Sequence, residues 1–414
     1  MTSIELNGRR YEWRGQPTVI ICVDGFDPAY LERGMPDGIF PTISKFKSDG
    51  FIATADSVVP TFTNPNNTSI VTGAPPAVHG VSGNYYLDRE SGKEVMVVDA
   101  HLLRSETILG MLSRAGVKTA AVTAKDKLRK MLAHNLNGIS FSSQCADCCT
   151  IEENGIAGVE EMVGRGRPEM YDPDLSLFVL DAGICLLERG MADLLYLSLS
   201  DWVQHRYAPG EPESNEFYRA VDRRVARMIA LGAVVGITGD HGMNDKSRAD
   251  GSPNVVFLED ELNGRFGAGS VRVICPITDP FVQHHGALGS FVRIYREGAT
   301  GLDTLMQATK SLPGVELVLD GASAAARFEL PLDREADFIA IAERSVVIGA
   351  TRAEHPVEFG ARLRSHGGIS EQAVPLIISR PLTSRYLRMA ETRRLRNFDI
   401  FELAINGVRT SALE

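Results

Sequence analysis

A chain of 414 residues with 44% hydrophobic and 23% charged residues has an ordinary globular composition, and its length suits a main domain of about 250 to 300 residues with a smaller one inserted. The formal net charge of −10, with no Lys/Arg block interleaved with aromatic residues, argues against a nucleic-acid surface and requires any small anion to be held by local positive charge. No run approaches the roughly 18 apolar residues that cross a membrane, and the start MTSIELNGRRYEWRG has no apolar stretch behind a basic head, so a cytoplasmic protein is expected.

In chain order, short apolar runs alternate with helical patterns, the signature of an α/β fold with a largely parallel sheet. TVIICV at 18–23 reads as the first strand and ends in Asp24-Gly25. TFTNPNNTSIVTG at 61–73 follows, a polar loop with a hydroxyl at Thr63, a stiffening Pro65, then Asn66 and Asn67 ahead of an apolar segment that stops at Gly73. Such a loop holds one hydroxyl at a helix start, where backbone N–H groups and the helix dipole favour an oxyanion. Taken alone it is also an ordinary turn.

KTAAVT at 118–123 runs into Ala124 and then Lys125-Asp126-Lys127; DLLYLSLS at 193–200 runs into Asp201; AVVGIT at 233–238 runs into Gly239-Asp240-His241-Gly242. Nearly continuous apolar runs mark strands covered on both faces, and ligands in such sheets sit beyond the carboxyl ends of the strands. All four runs therefore deliver charged residues to one edge. CADCC at 145–149 carries Cys145, Cys148 and Cys149, but the rest of a four-ligand set is missing nearby, and reduced thiols are expected there.

From about 250 to 361 the pattern turns irregular, with DGSPN, CPITDP and HHGALGS, while SFVRIY at 290–295 alternates like an antiparallel strand. The expected division is a core over 1–249, an inserted α+β cap over 250–361 and a return of the core over 362–414. The return contains RSHGG, the apolar VPLIIS at 374–379 and a closing helix in RNFDIFELAI at 396–405.

Asp201 and His205 in DWVQH are an i, i+4 pair on one helix face. Asp240 and His241 reach one site only if their Gly-flanked turn bends sharply. With Asp24, His366 and Thr63 they make three carboxylates, three imidazoles and a hydroxyl, a mixed N/O set suited to divalent metals, zinc above all, although Mn²⁺ or Fe²⁺ would accept the same ligands. Two such ions activate a nucleophile and stabilise a leaving oxygen at phosphorus.

The segments TNPNNTSIVTG, HGVSGN at 79–84, DWVQH, GDHGM at 239–243 and SHGG, in this order, resemble the alkaline phosphatase superfamily on its nucleotide pyrophosphatase/phosphodiesterase-like branch. AKDKL at 124–128 makes the chain most similar, within that branch, to the phosphonoacetate hydrolases. The resemblance implies the superfamily's three-layer core. It further implies one zinc held by Asp24, Thr63, Asp240 and His241 and a second held by Asp201, His205 and His366, the latter three also lying against the substrate.

Thr63 would be the nucleophile and Asn84 the amide facing a phosphoryl oxygen. Sulfatase activity is not expected, since Thr63-Asn64-Pro65-Asn66 departs from the Cys-x-Pro-x-Arg setting of the sulfatases.

Charge sharpens the substrate. Two divalent cations are neutralised by three aspartates and a Thr63 alkoxide, which leaves nothing for a second anionic group. Lys125 and Lys127 supply it if their loop turns and Asp126 faces elsewhere.

The expected reaction is hydrolysis of phosphonoacetate to acetate and phosphate through a phosphothreonine. A phosphodiesterase or nucleotide pyrophosphatase is the alternative, and a non-catalytic metal-dependent anion binder the lesser one. The expected partner is thus a small anionic phosphonate, with no nucleic acid or membrane, and a homodimer is the assembly considered. His79 is expected to be structural, His284 and His285 are candidates to meet substrate from the cap, and His101, His134 and His355 have no neighbours that suggest a site.

Overall fold

The computed structural model describes residues 2–89, 91–97, 100–277, 287–355 and 362–409. Its main sheet is built from β1 (Thr18–Val23), β2 (Phe51–Asp56), β3 (Thr119–Thr123), β4 (Ile139–Ser142), β5 (Leu194–Ser198) and β6 (Val234–Gly239), with a last strand from the return segment. The smaller sheet contains β7 (Val271–Ile274), β8 (Phe291–Arg296), β9 (Val315–Asp320) and β10 (Phe338–Ala342); the last strand of the main sheet is β11 (Ala373–Ile378). The main order is β2-β11-β6-β1-β5-β3-β4. The strands from β6 to β4 are parallel, whereas β11 runs antiparallel to both β6 and β2.

Alternation along these strands makes two cores. Val19, Ile21 and Val23 of β1 point to one face, with Leu195, Leu197, Val235 and Ile237, and are covered by α-helices Asp174–Glu188 and Pro212–Ala230 through Phe178, Val221 and Val225. Ile20 and Cys22 point to the other, where Ile70, Leu109, Leu112, Met131 and Phe401 cover them. The result is the three-layer α/β architecture expected from the sequence. Each fully buried Val, Leu or Ile stabilises it by roughly 1.5–3 kcal/mol, which is why strands buried on both faces are apolar throughout.

The smaller sheet, ordered β7-β8-β10-β9 and antiparallel throughout, packs its own core of Phe291, Ile294, Phe338, Ile341, Leu305 and Ala324. Val59 and Phe62 enter that same cluster, so the smaller sheet packs against the chain just before Thr63. An N-terminal hairpin, Thr2–Leu6 with Arg9–Trp13, and the edge strand β2 were not apparent from periodicity. Among the described residues no helix is long and apolar enough to cross a membrane.

The stretch 61–73 differs from the sequence reading in one respect. Its helix, α1 (Thr63–Thr72), starts at Thr63 itself, so Asn66 and Asn67 are helical rather than part of the loop. Pro65 fits because N–H groups of the first turn have no intrahelical partner. The asparagines fit because their amides bond inward, Asn66 to the Phe62 carbonyl and Asn67 to that of Thr63, both at 3.1 Å.

Candidate functional site

The register of the parallel strands brings the acidic residues together. Val23 pairs with Gly239 and Cys22 with Ser198, so Asp24 and Asp240 leave the sheet side by side, with Asp201 three residues beyond Ser198. Gly25 follows in the left-handed region at φ +71°, which turns its N–H onto Asp240 Oδ1 at 3.1 Å. A helix of five residues, Trp202–Arg206, begins right after Asp201 and puts His205 Nε2 3.0 Å from Asp201 Oδ2.

Two groups result, Asp24 with Asp240 and His241, and Asp201 with His205 and His366; within each, the ligand atoms lie within 4.8 Å of one another and all three residues are buried. Every histidine is anchored by Nδ1 to a backbone carbonyl: His205 to Arg364 at 2.7 Å, His241 to Gly242 at 2.8 Å and His366 to Thr61 at 2.7 Å. A carbonyl only accepts, so each Nδ1 donates and each ring turns its Nε2 to the cluster, the orientation that metal-ligating imidazoles adopt. Asp24 Oδ1 and His241 Nε2 are buried without any hydrogen bond, although they lie 3.2 Å apart. Orphaned buried atoms of this kind are costly, and a cation between them removes the cost.

The electrostatics point the same way. Burial, with Asp201 and Asp240 nearby, pushes the Asp24 carboxyl well above its ordinary range. Burial alone would lower His241, but Asp240 and Asp24 outweigh it and push the imidazole up to about 9, while burial and the neighbouring His241 and His205 hold His366 well below its usual value. Three carboxylates crowded in a buried site call for positive charge. The residues present fit a pair of divalent cations.

Thr63, half-buried at the first position of α1, lines one cavity together with Asp24 of the first group and Asp201 and His366 of the second. Asn84, Lys125 and Lys127 line the same cavity. Asn84 accepts the Asn64 N–H on Oδ1 at 3.3 Å, which fixes the amide orientation. Lys125 precedes α2 (Asp126–Leu132), and its Nζ lies 3.1 Å from Asp201 Oδ1. Asp126, between the lysines, is not among the residues that line the cavity.

Two residues outside the sequence reading of the site hold it in place. Asn67 donates to Asp240 Oδ2 at 3.1 Å and accepts from the Tyr196 hydroxyl at 2.7 Å and Ser198 Oγ at 2.9 Å, tying α1 to the carboxylate and to β5. Its position one helical turn after Thr63 was the available signal. Glu371 joins the two histidine loops: its carbonyl accepts Gly242 N–H at 2.7 Å, its carboxylate accepts Gly368 N–H at 3.0 Å and Lys246 Nζ at 2.9 Å. Nothing in the local sequence distinguishes that glutamate. Gly367, beside His366, has φ +121°, and a Cβ there would stand 2.5 Å from the Phe62 ring, so only glycine fits.

His79 is fully buried, its Nε2 2.8 Å from Ser69 Oγ, and burial with Arg334 nearby lowers it to about 3. Among the described residues Cys145, Cys148, Cys149, His101, His134 and His355 join neither cluster, and all six cysteines are unpaired. His284 and His285 lie outside the described residues.

A family model described as type I phosphodiesterase / nucleotide pyrophosphatase matches residues 18–355, which takes in Asp24, Thr63, Asp201, His205, Asp240 and His241 and stops short of His366. The chain belongs to this family, within the alkaline phosphatase superfamily. This family member is a hydrolase. Among curated proteins it is 40% identical over 78 residues to rat ectonucleotide pyrophosphatase/phosphodiesterase family member 1, covering 19% of this chain and 8% of that protein. The chain thus matches under a tenth of that relative's length.

Among solved structures, phosphonoacetate hydrolase from Sinorhizobium meliloti 1021 in complex with phosphonoformate is 43% identical over 98% of both chains, with a TM-score of 0.93. The same enzyme in complex with phosphonoacetate gives 0.92 at the same identity and coverage. Murine ectonucleotide pyrophosphatase/phosphodiesterase 5, 17% identical over 94% of each chain with a TM-score of 0.63, shares the fold.

Proposed function

We propose that this family member hydrolyses the P–C bond of phosphonoacetate, giving acetate and phosphate. The observation that carries the reading is the single cavity in which Thr63, Lys125 and Lys127 meet Asp24, Asp201 and His366. The 43% identity over 98% of an enzyme solved with phosphonoacetate supports it.

One zinc would be held by Asp24, Thr63, Asp240 and His241 and a second by Asp201, His205 and His366, which also border the substrate. When bound, the two ions supply Lewis acidity at the phosphoryl oxygens and lower the pKa of the attacking hydroxyl. Thr63 Oγ attacks phosphorus in line: the O–P bond forms, the P–C bond breaks, and its electron pair passes to the methylene carbon and into the adjoining carboxylate as an enediolate. Lys125 and Lys127 face that carboxylate, where charge grows toward the transition state, a differential contact that contributes roughly 3–4 kcal/mol.

Protonation at carbon, balanced by the proton that the Thr63 hydroxyl gives up, yields acetate. Water then attacks the phosphothreonine, the P–Oγ bond breaks, and the proton lost by water restores the Thr63 hydroxyl as phosphate leaves. With Oδ1 occupied by the Asn64 N–H, Asn84 offers its NH₂ group to a phosphoryl oxygen.

The test is metal analysis coupled to product detection. Protein reconstituted with zinc is expected to hold two ions per chain and to release acetate and phosphate together from phosphonoacetate. Lys125→Ala and Lys127→Ala should cripple that turnover while sparing an activated aryl phosphate ester. Absence of acetate, with a nucleoside monophosphate released from a dinucleotide instead, would favour the phosphodiesterase reading that the match to rat family member 1 suggests. A reducing, cytoplasmic setting is proposed as well, since six unpaired cysteines suit one.

A further inference from the structure

Asp126 poses a problem for the lysine pair. It stands between Lys125 and Lys127, and a carboxylate there would pair with either ammonium group and repel the carboxylate of a substrate. The cavity lining runs through Ala124, Lys125, Lys127 and Leu128 and skips Asp126.

The cause is on the far side of α2. Arg129, 6% exposed, donates from Nε to Asp126 Oδ1 at 2.7 Å and from Nη2 to Glu153 Oε1 at 2.7 Å. Ser142 Oγ, at the end of β4, donates to the same Asp126 oxygen at 3.0 Å. Asp126 N–H is taken by Gln144 Oε1 at 3.0 Å, which fixes the turn from which the helix departs. Nε and Nη2 of the guanidinium are thus both committed, and the Asp126 charge is answered by residues that do not line the cavity.

We infer that Arg129 is a specificity-determining positioning residue: by capturing Asp126 it keeps that carboxylate off Lys125 and Lys127, the first of which stands 3.1 Å from Asp201 Oδ1. The inference rests on the reading of Lys125 and Lys127 given above. It assigns no contact with substrate to Arg129 itself.

The test compares two ligands on the zinc-loaded enzyme, phosphonoacetate as substrate and methylphosphonate, which lacks the carboxylate, as competitive inhibitor. Arg129→Met should raise KM for phosphonoacetate about tenfold while the Ki of methylphosphonate stays within about twofold. The decisive arm is Arg129→Met with Asp126→Asn, which removes the liberated charge and should bring KM back to within about threefold of the parent. Arg129→Lys keeps the charge but not the fork, and carries the same comparison if the methionine variant does not fold: KM should rise about threefold and return when Asp126→Asn is added.

Parallel rises of KM and Ki, or a double variant as weak as the single one, would overturn the inference. Lys125→Ala separates the two claims. If it leaves the ratio of KM to Ki unmoved, the lysine reading falls and takes this inference with it; if it moves the ratio and the Arg129 variants do not, only this inference falls.

Discussion

The imidazoles of His241 and His366 stack with centroids 3.5 Å apart and planes 8° from parallel. They belong to different triads, so the two groups of donors share a wall rather than standing apart. Two imidazolium rings at that spacing repel, which together with burial holds His366 below its usual value, and both rings, with Nδ1 bonded to carbonyls, turn Nε2 to the cluster.

Metal binding should therefore stabilise the fold strongly. With free zinc at about 100 times Kd, each site is expected to add about 2.7 kcal/mol, read as a rise in melting temperature that a chelator reverses. A melting temperature indifferent to both zinc and chelator would contradict the assignment.

Thr63 supplies the sharpest catalytic test. Thr63→Ala should lower kcat by about 10³-fold or more and Thr63→Ser should retain far more activity, because the serine keeps the hydroxyl at the first position of α1. Rapid-quench mass spectrometry of the parent should find phosphate on the peptide containing Thr63. Full-speed turnover by the alanine variant removes threonine from the reaction.

Asn67 acts through Asp240. Asn67→Leu strips the donor from Asp240 Oδ2 and leaves the Tyr196 and Ser198 hydroxyls without their shared acceptor. Affinity for the first zinc, measured by calorimetry, should fall about 10- to 100-fold, the usual effect of losing a residue that orients a ligand. An unchanged affinity would leave Asn67 a packing residue.

Arg293 of β8 and Glu335 form an ion pair with side chains 0% and 1% exposed, and Arg293 Nη2 also donates to the Ser82 carbonyl at 3.2 Å, two residues before Asn84. Arg293→Met should destabilise the protein by about 3–5 kcal/mol in urea unfolding, since Glu335 is left buried and unpaired. Adding Glu335→Leu should recover much of that loss. Strictly additive losses would show that the pair is not the source of the effect.

Acid stability should depend on Asp399. Burial raises its pKa, but Arg393 and Arg9, with the Arg396 N–H, outweigh that and hold the carboxyl below its usual range. A depressed folded pKa contributes stability that is present above the unfolded value of about 3.9 and is lost as pH falls through the folded value. Asp399→Asn should thus reduce stability at neutral pH and flatten the acid limb below about pH 4. A parent-like slope there would reject the assignment.

What could be read in the chain itself was whatever is encoded locally. Six-residue apolar runs such as TVIICV mark strands covered on both faces, and the acidic residues after them must emerge at the carboxyl edge of a parallel sheet. The i, i+4 spacing of Asp201 and His205 carried its own geometry.

Partnership across hundreds of positions could not be read that way. The pairing of β1 with β6 sets Asp24 beside Asp240, the Thr61 carbonyl orients His366 from 305 positions away, and Glu371 ties the loops of both histidines. Such contacts depend on which elements become neighbours when the apolar faces close. Whether Asp126 faces the lysines or Arg129 was decided there too, because Ser142 and Glu153, which settle it, arrive from other elements of the fold.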